Sequence, residues 1–167
     1  SDGTAFVDIT NPGASVLKAF VAGPTSLWRD VRTYGTTCYA ASEGGGGIQV
    51  INISRLHIDG TVGLAGSVTA PTTTTAATHT LAIDEVSGFL YRAGGGANGI
   101  RIYDLNANPL APAYVGTWTP VYVHELQIKT FTSGPNAGRQ IAFCCGGANS
   151  GNVNTGLYIV DVTNKSN

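Results

Sequence analysis

The sequence predicts an all-β chain made of β-propeller blades, each of four antiparallel strands. About three to four blades are expected, as part of a larger ring. Three observations predict this. One short motif recurs four times at the spacing of a blade. The stretches between its copies are strand-like and follow a fixed order. Nowhere in the 167 residues does an apolar period of 3.6 persist, so helices are not expected.

The motif is Gly, then alternating apolar positions, then Asp or Asn. Its copies are Gly3-Thr4-Ala5-Phe6-Val7-Asp8, Gly47-Ile48-Gln49-Val50-Ile51-Asn52, Gly99-Ile100-Arg101-Ile102-Tyr103-Asp104 and Gly156-Leu157-Tyr158-Ile159-Val160-Asp161. Their last residues lie 44, 52 and 57 positions apart. β-branched and aromatic residues dominate, and each copy is too short for a helix. The closing Asp or Asn can accept a hydrogen bond from the backbone two residues on and start a turn. Asn11-Pro12 and Asn108-Pro109 punctuate two of those turns.

After each turn comes an apolar run: Val16 to Val21, Val62 to Val68, Ala113 to Trp118. Next is a run that opens on a polar pair: Trp28-Arg29-Asp30-Val31, Thr78-His79-Thr80-Leu81, Val123-His124-Glu125-Leu126. A strand ending in small residues follows, at Cys38 to Ala41, Phe89 to Ala93 and Gln140 to Cys144. Gly-rich turns at Gly44 to Gly47, Gly94 to Gly96 and Gly146-Gly147 lead back to the motif. The polar-pair run is then the innermost strand of a blade, the motif the third, and the apolar run the outermost. On this register residues 1–23 are blade remnants. Residues 27–70 and 77–120 are full blades, and 122–167 is an incomplete one. Thr72 to Thr75 with Ala76-Ala77 read as a loop of simple composition.

Composition narrows the function classes. Charged residues are only 11%, and 9 Lys+Arg against 10 Asp+Glu leave a net charge of -1. Such a chain has no broad basic surface for nucleic acid or an anionic membrane. No apolar run approaches the ~20 residues of a membrane-spanning helix. With no Met, and Ser1-Asp2-Gly3 at its start, the chain is expected to be processed or partial.

Several of these segments resemble one known family. They are Trp28-Arg29-Asp30-Val31, Gly47-Ile48-Gln49-Val50, His79 to Glu85, Gly88-Phe89-Leu90-Tyr91, Gly138 to Cys144 and, most specific, Leu157-Tyr158-Ile159-Val160-Asp161-Val162-Thr163-Asn164-Lys165-Ser166-Asn167. Together they are similar to the LVIVD-repeat propellers grouped as choice-of-anchor B proteins, over nearly the whole chain. The resemblance implies a β-propeller on an exported protein: extracellular, secreted or held at the cell surface. It names an architecture more firmly than an activity.

Arg29, His79 and His124 hold the same place in three successive blades, at the start of the innermost strand. Converging imidazoles suit a metal or an anionic ligand, and Asp30 and Glu125 adjoin them. Arg29 argues against a plain histidine ring around a metal, because guanidinium does not ligate. The plainer alternative is that these groups hydrogen-bond neighbouring blades and water. His57, in the linker Ser54 to Gly60, reads as a surface residue. Asp84-Glu85 reads as a solvated hairpin tip, with calcium binding as the alternative. The Gly-rich runs are not followed by a helix or by Lys-Ser/Thr, so they are turns and not phosphate loops. Asn52-Ile53-Ser54 and Asn164-Lys165-Ser166 match the glycosylation pattern. Cys38 stands alone and Cys144-Cys145 are adjacent, with no metal spacing. The cysteines read as buried small hydrophobes, with a link from Cys38 to Cys144 or Cys145 as the alternative.

The expected function is a non-catalytic extracellular or cell-surface module for scaffolding or for protein or glycan interaction. Its partners would be the remainder of a propeller or another protein chain, and glycan, with no nucleic acid. No cofactor is expected beyond a candidate divalent metal ion. The rival is a propeller enzyme, or a metal- or ligand-binding module, using the polar groups at the channel mouth.

Overall fold

The computed structural model describes residues 1–70, 76–147 and 155–166. Thr72 to Thr75 lie outside the described residues. Four antiparallel sheets account for the strands found among the described residues. The first pairs β1 (Gly3–Asp8) with β2 (Val16–Ala22). The second runs β3 (Arg29–Tyr34), β4 (Thr37–Ser42), β5 (Ile48–Asn52), β6 (Gly63–Val68) in spatial as in chain order. The third does the same with β7 (Thr80–Asp84), β8 (Phe89–Ala93), β9 (Ile100–Asp104) and β10 (Ala113–Trp118). The fourth is β11 (Val123–Thr130), β12 (Gln140–Gly146) and β13 (Gly156–Asp161). These are the blades of a partial propeller, and β7 packs between β3 and β11 on the inner side of the arc.

The recurring motif forms β1, β5, β9 and β13. Each copy ends as its chemistry dictates. A carboxylate or amide oxygen accepts the N–H two residues on: Asp8 from Thr10 at 2.9 Å, Asn52 from Ser54 at 2.9 Å, Asp104 from Asn106 at 2.8 Å, Asp161 from Thr163 at 3.0 Å. These side-chain turns stop the strand. At Gly3, Gly47 and Gly99 the motif's glycine allows a neighbouring backbone carbonyl to approach closely, whereas Gly156 has open space around it. At Gly99, φ is +75° and an added Cβ would lie 1.7 Å from the Trp118 carbonyl oxygen.

Central strands are buried on both faces, which is why β4 is apolar or small throughout. Successive side chains point to opposite faces. Cys38 and Ala40 pack with Ile51 against Phe6 and Val21 of the first blade. Tyr39 and Ala41 pack with Ile48 and Val50 against Leu81, Leu90 and Tyr103 of the third. On the far side of the third blade, Tyr91, Ala93, Ile100 and Ile102 meet Leu126, Ala142 and Cys144 of the fourth. Each large side chain so buried contributes roughly 1.5–3 kcal/mol.

No such cluster joins the fourth blade to the first among the described residues. Their outer faces stay in solvent: Leu157 is 61% exposed, Ile159 66%, Leu17 62% and Phe20 51%. The arc is open. The linker after β5 carries one helical turn, α1 (Leu56–Asp59), with an Arg55–Asp59 ion pair across it. Among the described residues no helix is long and apolar enough to cross a membrane.

Candidate functional site

The axial end of the arc gathers aromatic rings from three blades. The His79 and His124 rings lie 4.2 Å apart between centroids, and Trp28 lies 5.7 Å from His79. His79 Nδ1 is 2.7 Å from Glu43 Oε1. An ionised carboxylate only accepts, so Nδ1 is the donor and Nε2 is the ring's other polar atom. Both histidines lie over glycines that follow the second strand. A Cβ on Gly94 would come within 2.4 Å of His79 Cβ, and one on Gly147 within 2.9 Å of His124 Cβ. Tyr122 lies beneath, and burial pushes its hydroxyl up while a Gly95 hydrogen bond opposes this.

Arg29 does not join the histidines, which corrects the expected trio. It sits within β3, paired with Ser42. Its side chain runs into the seam with the first blade, donating Nη2 to the Pro24 carbonyl at 2.7 Å and Nη1 to Gln49 Oε1 at 3.4 Å. His79 instead precedes β7, and His124 falls at a bulge between Val123 and Glu125. A bulge re-aims the side chain it carries. Trp28 takes the third place in the cluster. It is 59% exposed, and neighbouring Leu27 is 94% exposed.

Asp30 and Glu125 do converge, on the Thr80 hydroxyl. Thr80 Oγ1 is 2.6 Å from Glu125 Oε1 and 3.2 Å from Asp30 Oδ2. One hydroxyl has one proton, and the shorter contact takes it. Asp30 is satisfied otherwise: it accepts the Leu81 N–H at 2.7 Å and the Val31 N–H at 2.8 Å, and it pairs with Arg32. These carboxylates tie three inner strands together. Among the described residues, no three His, Cys, Asp or Glu side chains are arranged to hold a metal ion. Between the inner strands runs a cleft of about 460 Å³, lined by Val31, Arg32, Ala82, Glu85, Leu126 and Gln127 among others. A larger cleft, about 850 Å³, lies off the axis between Phe6, Leu17, Ile53 and α1, with exposed His57 on its wall.

Asp84 is not the solvated residue its hairpin suggests. It is 6% exposed. Its Oδ2 accepts from Ser87 Oγ at 2.6 Å and from Thr130 Oγ1 and Gln140 Nε2, and Gln140 Oε1 accepts from the Tyr91 hydroxyl. Burial alone would raise its carboxyl, but these donors outweigh that and hold it below the usual carboxylate range. Glu85 remains exposed.

All three cysteines are free thiols. Cys38 faces the first blade and Cys144 the third, so the alternative of a bridge between them does not arise. Burial pushes the Cys38 thiol up to about 11; burial, with neighbouring Cys145, pushes Cys144 up to about 12. Cys145 is exposed. Of the glycosylation candidates, Asn164 is exposed and Asn52 half-buried, and the side-chain oxygen of each binds the N–H of its own motif serine.

Sequence reasoning missed Trp28, Glu43 and Tyr122. The available signal was that Glu43 is the one charged side chain beside a bare glycine run. The chain matches no protein-family model, no curated protein and no solved structure at a significant level.

Proposed function

We propose that the chain is a non-catalytic interaction module of an extracellular or cell-surface propeller, contacting protein or glycan at the mouth of its axial channel. One observation carries this: an exposed Trp28 lies against the His79–His124 pair, with exposed Leu27 beside it. A rigid aromatic face rimmed by imidazole and carboxylate suits a contact that is part apolar and part hydrogen-bonded. The resemblance of the strand motifs to LVIVD-repeat propellers fits the same placement outside the cell. A net charge of -1 gives little counterion release, so nucleic acid is not the partner. Catalysis from the axial groups is the rival. Its one hydroxyl between carboxylates is Thr80, which is 1% exposed and out of reach of a substrate.

Glycan arrays and immobilised cell-surface protein extracts, probed with the wild type and with Trp28→Ala, test this. Binding that disappears in Trp28→Ala at an unchanged melting temperature is the expected result. Identical binding by the two proteins, or salt-sensitive binding to DNA or RNA, overturns it.

A further inference from the structure

The third blade carries two arginines side by side in its seam with the second. Arg92 on β8 and Arg101 on β9 are direct cross-strand partners. They share a face with Leu90 and Tyr103, which pack on Tyr39, Ile48 and Val50. Arg92 is 1% exposed and Arg101 6%. Guanidinium does not give up its proton in proteins, so the seam encloses two like charges.

Their neutral partners are few. Arg92 donates Nη2 to the Ala77 carbonyl at 2.7 Å, and Arg101 donates Nη1 to the Asn98 carbonyl. Among the described residues, Nε and Nη1 of Arg92, Nε of Arg101 and the hydroxyl of Thr78 are buried without a well-formed hydrogen bond, and the Tyr103 hydroxyl faces the Arg92 side chain as a neutral contact. No carboxylate pairs with either arginine among the described residues. Residues 69–78, which follow β6 and precede β7 in the chain, contain no acid. Carbonyl dipoles ease the burial of a cation but bring no opposite charge. An uncompensated buried charge is strongly destabilising, and two adjacent ones repel as well.

We infer that the Arg92–Arg101 seam binds a small inorganic anion of the halide class, which neutralises the pair and accepts from its unpartnered N–H groups. Size follows from closure. With Arg92 1% and Arg101 6% exposed, little of either guanidinium reaches solvent, so a single-atom anion suits the seam better than a bulky organic one. Burial and the neighbouring Arg92 charge both push the Arg101 pKa down, and an anion in the seam removes that second penalty. This site is independent of the axial mouth and of any partner bound there.

The test uses the whole chain at constant ionic strength, exchanging gluconate for chloride. Linkage predicts a flat melting temperature at low chloride, then a rise of roughly 3–5 °C per tenfold chloride above the dissociation constant. Crystals soaked in bromide should show an anomalous peak between Arg92 and Arg101. Arg101→Leu should abolish the chloride dependence; if that variant does not fold, the bromide peak in the wild type decides. A melting temperature indifferent to chloride, or bromide found only elsewhere, overturns the inference.

Discussion

Asp84→Asn isolates the buried polar network between the third and fourth blades. The substitution keeps the shape and removes the charge. In the native protein one oxygen, Oδ2, accepts from Ser87, Thr130 and Gln140. An amide there either aims N–H groups at three donors or keeps one oxygen for them all. The two hydroxyls can rotate away: Ser87 Oγ already lies 3.5 Å from the Asp84 carbonyl oxygen, and Thr130 Oγ1 accepts from Gln140 at 2.8 Å. Gln140 cannot turn without losing the Tyr91 hydroxyl. A hydrogen bond to a charged acceptor is worth about 1.5–3 kcal/mol, and a buried donor left bare costs about 1–3 kcal/mol. With the partial rescue of the hydroxyls, the expected loss is about 2–4 kcal/mol at pH 7. For a chain of this length that is roughly 5–15 °C in melting temperature. The folded carboxyl titrates below its unfolded value near 4, so its contribution is complete above that pH and lost as pH falls through the folded pKa. Urea denaturation of both proteins from pH 7 to pH 3 is the assay. The gap between them should be widest at neutral pH and shrink below about pH 4. A cycle with Thr130→Val should show coupling of about 0.5 kcal/mol or more. A loss under about 0.5 kcal/mol, or a gap that ignores pH, refutes the network's role.

Maleimide should label one thiol per native chain, at Cys145, and reach Cys38 and Cys144 only in denaturant; fast labelling of all three would mean the seams open. Gly94→Ala should cost about 2–3 kcal/mol by chemical denaturation, since it strains a left-handed backbone and meets His79. Gly96→Ala, left-handed with open space around it, should cost only about 1 kcal/mol; equal losses would show that the histidine contact is unimportant. Introducing lysine on the open faces, as Phe20→Lys with Ile159→Lys, should suppress concentration-dependent light scattering, and scattering unchanged from the wild type would count against those faces as the sticky surface.

What was legible in the sequence was whatever a local rule enforces. The Gly-to-Asp motif marks a strand and its stop because its ends are set by one glycine and one side-chain turn, and both act within two residues. The all-β class follows from four such copies. Less legible was any feature set by a neighbouring blade. Arg29 and His124 match in sequence spacing, yet one lies in a regular strand and the other on a bulge, so their side chains part company. Periodicity cannot reveal a bulge, because the extra residue shifts the face only after it. Asp84 looked solvated because its hairpin is short and polar. Its burial comes from Thr130 and Gln140, some 50 residues on. Glu43 was hidden for the same reason, its partner His79 being on the next blade.

The seams share a further device that no motif announces. Between the first and second blades, Arg29 reaches the carbonyl of Pro24, in the crossover that joins them. Between the second and third, Arg92 reaches the carbonyl of Ala77, in the next crossover. The two arginines sit on different strands, inner in one blade and second in the other. Gln49 and Arg101, equivalent residues of the recurring motif, stand beside them. A side chain that clips a crossover carbonyl satisfies a backbone acceptor and fixes how two blades meet. In the first seam Gln49 supplies a neutral acceptor to Arg29 and donates on to Ala22 at 2.8 Å. In the second, the same motif position holds a second cation. Arg29 keeps one buried N–H, Nε, without an acceptor, but it is a single cation with two neutral acceptors beside it. The exchange of Gln49 for Arg101 replaces one of those acceptors with a second cation, and it places the like-charge pair that an anion would neutralise in the second seam.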